Sequence, residues 1–163
     1  MENEMQIVAR HLTSAPVDLE AIFADLGVGY SEKPIRTGES GWIERTGENF
    51  DVVVNASDPA VRRRFTAAHE LAHYLIHRDL MDHGARMMRH TDRLYGDADD
   101  NPNSPFRPHH EVQANKLAAQ IIMPAPLVRE NFAKNSNHAA LASEFEVSAQ
   151  AMEIRLKTLR LRS

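Results

Sequence analysis

The sequence predicts an α+β protein in which a small antiparallel sheet packs against a mainly helical core. Residues 28–55 contain short apolar runs separated by Gly and Asn, as in hairpin strands. Most of the remaining chain carries apolar residues at spacings of three and four, as in amphipathic helices. With 163 residues and 42% hydrophobic content, the chain is large enough for one domain, or for one domain with a small appendage.

The composition excludes several classes of protein. A net charge of −4 and a pI near 6.1 provide no overall basic field for nucleic acid. The absence of cysteine excludes disulfides and thiolate metal ligands, and it fits a reducing compartment. The N-terminus is acidic and lacks the apolar segment of a secretory signal, and no run of about eighteen apolar residues occurs. These features predict neither a secretory signal nor a membrane-spanning segment.

Two helices are predicted at the start of the chain. Residues 5–12 form the first, and the second has Pro16 in its first turn and Gly27 just after its end. The apolar face of this second helix comprises Leu19, Ile22, Phe23 and Leu26. Such a face is expected to pack over the core.

Three strands follow the second helix. They are expected at residues 28–30, 41–45 and 50–55, and residues 46–49 form a hairpin turn between the last two. Residues 52–54 are all Val, which is too apolar for a half-exposed strand. We therefore expect helices to cover part of both faces of the sheet.

The segment 66–77 contains His69-Glu70-Leu71-Ala72-His73, the HExxH pattern. Residues four apart lie on one face of an α-helix, so His69 and His73 can bind a single ion. Glu70 lies about 100° further around the helix and can reach a water molecule on that ion without binding the metal. This arrangement is typical of the metal-binding helix of a zinc protease.

The start of the same helix is predicted at Asp58 as N-cap, with Pro59 as the first helical residue. Three arginines follow, at residues 62–64. They can form a patch for nucleic acid or an acidic partner, or a solvated face with ion pairs, and the second interpretation is favoured.

A zinc protease site needs a third protein ligand. Asp79 occupies the metzincin position, but Ile76 stands where that frame requires Gly to turn the chain. His77 lies roughly 12 Å along the helix axis from His69, too far to share an ion with both histidines. We therefore expect a carboxylate from a second helix.

Residues 109–123 form such a helix, and Glu111 is the expected ligand. Its stripe comprises Glu111, Ala114, Ala118 and Ile121, whose small residues allow another helix to approach closely. Asn115, one turn later, can accept the second N–H of a metal-bound histidine. An acidic residue in a first turn also suits the helix dipole, which is compatible with metal binding. The predicted site is therefore His69, His73 and Glu111, with Zn²⁺ preferred from the ligand types.

The segments RRRFTAAHELAHYLIH and HEVQANKLAAQIIMP resemble the ImmA/IrrE family of metallopeptidases. The resemblance covers about residues 50–125 well. It implies a minimal gluzincin-like core and a cytoplasmic endopeptidase that cleaves a helix-turn-helix transcriptional repressor, with Glu70 as general base. It also implies that one edge of the sheet holds the substrate backbone, although the sequence does not select the edge.

Residues 80–108 form a long connector that is expected to lie near the metal. Its second half, residues 91–108, is rich in Asp, Asn, Pro and Gly and is expected to be irregular. Five side chains in or after it are candidate donors to the oxyanion of the reaction: His83, His90, Tyr95, His109 and His110. The sequence does not select among them.

We divide the chain into a metallopeptidase-like domain, residues 1–125, and a C-terminal helical module, residues 126–163. After a helix near 126–134, residues 139–161 resemble a helix-turn-helix, although Glu146 occupies the turn position that often carries Gly. The expected core of this motif is Leu141, Phe145, Val147, Met152 and Leu156. Its last helix is basic, so DNA binding is one interpretation; packing on the catalytic core or docking a partner protein is the favoured one.

Two other functions stay open beside the endopeptidase. The chain can be a non-catalytic zinc-binding anti-repressor that sequesters its partner, or a DNA-binding regulator that acts through the C-terminal module. Glu70 favours the enzyme, because a purely structural zinc site needs no base beside its ligands.

Overall fold

The structure is a computed structural model, and it describes residues 2–82, 86–90 and 106–162. The helices within these ranges are α1 (Glu4–Ala9), α2 (Leu19–Leu26), α3 (Ala60–His77), α4 (Pro108–Ile122), α5 (Ala125–Lys134), α6 (His138–Phe145) and α7 (Ala149–Thr158). The strands are β1 (Gly29–Lys33), β2 (Glu39–Thr46), β3 (Asn49–Asn55) and β4 (Arg86–His90). A 3-10 turn, Arg78–Leu80, follows α3. None of the helices in the described ranges is long and apolar enough to cross a membrane.

The four strands form one sheet in the order β1-β3-β2-β4. The predicted α+β class is confirmed. The sheet is mixed, however, because β1 pairs parallel to β3, whereas the β2–β3 and β2–β4 pairs are antiparallel. Strand β3, which carries the three buried valines, takes an interior position, and its second edge pairs with β1.

The predicted hairpin joins β2 and β3. Thr46 pairs with Asn49 across a two-residue turn, and Gly47 has a φ of 62°, the left-handed value that such turns need at their first central position. Val52 and Val54 are fully buried and Val53 is 5% exposed. Elements on both faces of the sheet therefore exclude water from β3, as its composition predicted.

Two predicted helix starts are wrong by a few residues. Helix α2 begins at Leu19, beyond Pro16, because the Asp18 side chain accepts the N–H of Ala21 at 3.1 Å and caps the helix. Helix α3 begins at Ala60, with Pro59 at the N-cap position and no side-chain cap. Asp58 does not cap α3.

The arginines at residues 62–64 each lie within 4.0 Å of a carboxylate. The pairs are Arg62–Asp58, Arg63–Glu32 and Arg64–Glu146. Arg64 also donates to the carbonyl oxygen of Val17 at 2.9 Å. These contacts agree with an ion-paired face and tie the start of α3 to neighbouring elements.

The C-terminal helices have the helix-turn-helix form that the sequence predicted. Ser148 caps α7 by accepting the N–H of Ala151 at 3.0 Å, and Glu146 takes the left-handed conformation, with a φ of 55°. The five predicted core residues, Leu141, Phe145, Val147, Met152 and Leu156, are all buried. The division of the chain at residue 125 stays a prediction.

Gly41 of β2 lies in close contact with the backbone of β3 and with the side chain of Thr66 in α3. A Cβ atom at this position would stand 2.3 Å from the carbonyl oxygen of Val53 and 3.1 Å from Cγ2 of Thr66, one turn before His69. Because a backbone atom cannot move aside cheaply, we expect Gly41→Ala to lower the free energy of unfolding by about 3 kcal/mol. Chemical denaturation measures the change.

Gly29→Ala is the matched control, since its added Cβ would meet only the side chain of Asp51, at 1.9 Å from Oδ1. Asp51 is exposed and can rotate away, so the expected loss is under about 1 kcal/mol. Equal losses in the two variants would contradict the assigned backbone clash.

Candidate metal centre

Helices α3 and α4 bring the predicted site residues together. Along α3, residues 65–74 are all buried, so the HExxH segment faces the interior. Ala114 and Ala118 of α4 are fully buried, and these small side chains let the two helices approach closely. Glu111, one turn before Ala114, therefore projects toward the histidines of α3.

The two imidazoles converge on one carboxylate oxygen. The Glu111 Oε1 atom lies 3.0 Å from Nε2 of His69 and 2.5 Å from Nε2 of His73. Both histidines are fully buried and Glu111 is 9% exposed. The structure thus joins groups 42 and 38 residues apart in the chain.

Glu70 lies beside this pair and is 1% exposed. The candidate metal-ligand atoms of His69, Glu70 and His73 lie within 4.8 Å of one another. Glu70 Oε1 is 3.9 Å from His69 Nε2, however, whereas Glu111 Oε1 is at 3.0 Å. Glu111 is therefore the better third ligand, and Glu70 is placed to contact a molecule bound beside the histidines.

The electrostatics favour an ionised Glu111. Burial alone would raise the pKa of its carboxyl group, but hydrogen bonds from His69 and His73 outweigh burial and hold this pKa well below its ordinary value. Two imidazole nitrogens and an ionised carboxylate are the donors of catalytic zinc sites. The residues present therefore fit a zinc ion.

Asn115, the predicted outer partner of a metal-bound histidine, lies next to His69. Its Oδ1 lies 2.8 Å from Nδ1 of His69, so the ring donates there and directs Nε2 toward Glu111. In a metal-bound ring, whose Nε2 carries no proton, this acceptor would keep the remaining proton on Nδ1.

A second outer partner, His77, lies behind His73. The Nδ1 atoms of the two rings are 3.0 Å apart, and Nε2 of His77 lies 2.7 Å from Oε1 of Gln113. Donation from His77 to the amide oxygen leaves its Nδ1 as an acceptor for the N–H of His73. His77 is therefore placed to hold the orientation of His73 through these two contacts. Its exclusion as a ligand stays a prediction.

The sequence reasoning missed this role of His77 and Gln113. The role of His77 could have been predicted, since His77 follows His73 by one helical turn and metal-bound histidines need an outer acceptor.

Phe106 was also not predicted as part of the site. Its ring stacks on His73 with centroids 3.9 Å apart and planes 3° apart. Phe106 is 1% exposed and closes one side of the site.

The structure does not select one residue among the five predicted oxyanion donors. His83 and Tyr95 lie outside the described residues, and only the backbone of His90 is described. His110 accepts the N–H of Arg107 at 2.9 Å through Nδ1, and burial, followed by the charges of His109 and His77, lowers its pKa. His109 and His110 lie at the start of α4 beside His77, with the His77 and His110 ring centroids 4.8 Å apart.

Removing the outer partner of His73 should weaken zinc binding. We expect His77→Ala to lower zinc affinity by roughly 10- to 100-fold, because the ring of His73 loses its fixed orientation. His77→Gln, which can keep an acceptor near Nδ1, should lose less. Competition with a chromophoric chelator measures the affinity.

A double-mutant cycle of His77→Ala with Gln113→Ala separates an effect on the orientation of the His73 ring from an effect on the stability of the whole protein. Since Gln113 acts through His77, its effect should largely disappear in the His77→Ala background. Additive losses would show that the two residues act separately.

One family model matches the chain. The Peptidase_M78 model, described as the IrrE N-terminal-like domain, matches residues 37–157, which is well over half of the chain and includes α3, α4 and the site between them. No curated protein matches this sequence.

Proposed function

Because the chain belongs to the Peptidase_M78 family of IrrE N-terminal-like domains, a family of metallopeptidases, we propose that it is a zinc-dependent endopeptidase. Its substrate is a partner protein, a helix-turn-helix transcriptional repressor, and it acts in the cytoplasm. The observation that carries the proposal is the meeting of His69, His73 and Glu111 from two helices beside a buried Glu70.

Each residue of the site has its own role in the proposed peptide hydrolysis. His69, His73 and Glu111 would hold the zinc ion, which supplies Lewis acidity toward the scissile carbonyl and toward water. Glu70 takes the proton of the attacking water and passes it to the leaving amine. Asn115 and His77 keep the two imidazoles oriented, and Phe106 excludes solvent from one side of His73.

An endopeptidase of this kind needs an extended substrate segment. Within the described part of the chain, the outer strands β1 and β4 each pair on one side only, so a repressor segment can add to one of them as a further strand. The choice of repressor as substrate rests on the resemblance to the ImmA/IrrE metallopeptidases.

The test is to mix the zinc-loaded chain with a candidate repressor and to identify fragments by mass spectrometry. We expect one or a few defined cuts, which a chelator stops and added zinc restores. Binding of the repressor without any fragment would instead support a non-catalytic anti-repressor.

The alternative of a DNA-binding regulator is less well supported by α7. Arg155, one of its basic residues, is 8% exposed and donates through Nε to the carbonyl oxygen of Met123 at 2.9 Å. Glu153 and Ile154 are exposed on the same helix, and neither suits a phosphate backbone. A gel shift at low salt with the chain alone would revive this alternative.

A further inference from the structure

A second concave site lies between α4 and α7. It is a groove of about 260 Å³, and its apolar lining comprises Phe65, Ala119, Met123, Ala151 and Ile154. Ile154 is 49% exposed at its rim. The groove contains none of the predicted metal ligands, although Asn115 forms part of its wall.

Arg155 also lines this groove and is 8% exposed. Its Nε donates to the carbonyl oxygen of Met123 at 2.9 Å, at the end of α4. Among the described residues, no carboxylate pairs with its guanidinium. Burial, followed by the positive charge of Arg129, lowers its pKa, and no acidic group opposes these two effects.

The carbonyl oxygen of Met123 occupies only one of the five N–H donors of Arg155. No Arg155 nitrogen is among the fully buried atoms without a partner, so the other donors reach solvent and are available to a ligand. The other charged residue that lines the groove is Lys116, also a cation. The groove therefore combines apolar walls with positive charge, and its lining contains no Asp or Glu. The complementary ligand has an apolar body and a negative group.

We propose that the groove between α4 and α7 binds a small carboxylic acid with an apolar body, of the size of a medium-chain fatty acid. The carboxylate pairs with Arg155, and the chain lies along Ala119, Ala151 and Ile154. A small molecule fits better than a folded partner because the guanidinium is recessed and the groove is close to the lower end of small-molecule sites, roughly 300 Å³.

The test is calorimetric titration of the zinc-loaded full chain with octanoate below its micelle concentration. We expect a dissociation constant below about 1 mM. Octanol and octylamine, which have the same chain without the negative charge, should bind at least tenfold more weakly. Equal binding of octanol and octanoate overturns the proposal, as does tighter binding of a leucine-rich peptide with a free C-terminal carboxylate.

Variants then locate the site. Ile154→Glu and Ile154→Lys remove the same apolar group at an exposed rim position and differ in charge. Octanoate should bind the Glu variant about tenfold more weakly than the Lys variant. Equal affinities overturn the proposal, and this pair remains informative if a variant of the buried Arg155 fails to fold.

Arg155→Gln, once its folding is checked by circular dichroism, should lose octanoate binding. Arg129→Gln removes a nearby exposed cation outside the groove and should keep octanoate binding.

The titration is repeated on metal-free protein, because binding that requires zinc would assign the carboxylate to the metal and overturn the proposal. No step measures peptide cleavage, so the outcome is independent of the proposed function.

Discussion

Glu70→Gln is expected to keep its zinc and to lose cleavage by roughly 10²- to 10⁴-fold. Glu70 is buried beside the histidines, and its proposed role is to accept and return one proton, which a neutral amide cannot do. The amide has nearly the same shape as the carboxylate, so the fold and the metal ligands should be retained. Initial cleavage rates and metal content by elemental analysis measure the two effects.

The matched control is Glu153→Gln, which makes the same chemical change at an exposed position of α7. It should cleave at the wild-type rate. Normal turnover by Glu70→Gln would remove Glu70 from the mechanism, and a loss of zinc in that variant would make Glu70 a metal ligand.

Glu111→Ala is expected to lower zinc affinity by more than about 100-fold, the upper range for loss of an outer partner. The Glu111 carboxylate is the group on which both imidazoles converge, and no other acid of the described residues lies as close to both. Cleavage should fall with metal occupancy. Elemental analysis after dialysis against buffered zinc measures the loss.

Glu130→Ala is the control for Glu111→Ala. Glu130 pairs with Lys134 at 3.4 Å on the exposed face of α5, and such pairs contribute little. It should bind zinc as the wild type does. Retention of zinc by Glu111→Ala would return the third ligand to Glu70 or to a residue outside the described ranges.

Local periodicity was enough to predict the elements that carry the site. The spacing of His69 and His73 requires one helical face, and the small residues after Glu111 predict a helix that another can approach. Those signals lie within one or two turns of the chain. They therefore do not depend on knowing the fold.

The rest depends on contacts between distant segments. The parallel pairing of β1 with β3 joins segments about twenty residues apart, and the strand composition alone does not reveal it. Phe106, near the end of the long connector, contacts His73, and no periodicity links the two residues. Asp18 is a residue type that commonly caps helices, so the start of α2 could have been predicted there. Pro16, which is also common at helix starts, indicated a different start.

Because the proposed zinc ligands are divided between α3 and α4, binding of zinc to them would tie metal supply to the lifetime of the protein. An ion that binds only the folded chain adds about 2.7 kcal/mol to its stability when free zinc is a hundredfold above the dissociation constant. We expect the melting temperature to rise with zinc concentration. In zinc-starved cells more of the chain would be unfolded at any moment and exposed to degradation, so its abundance would follow the availability of the metal.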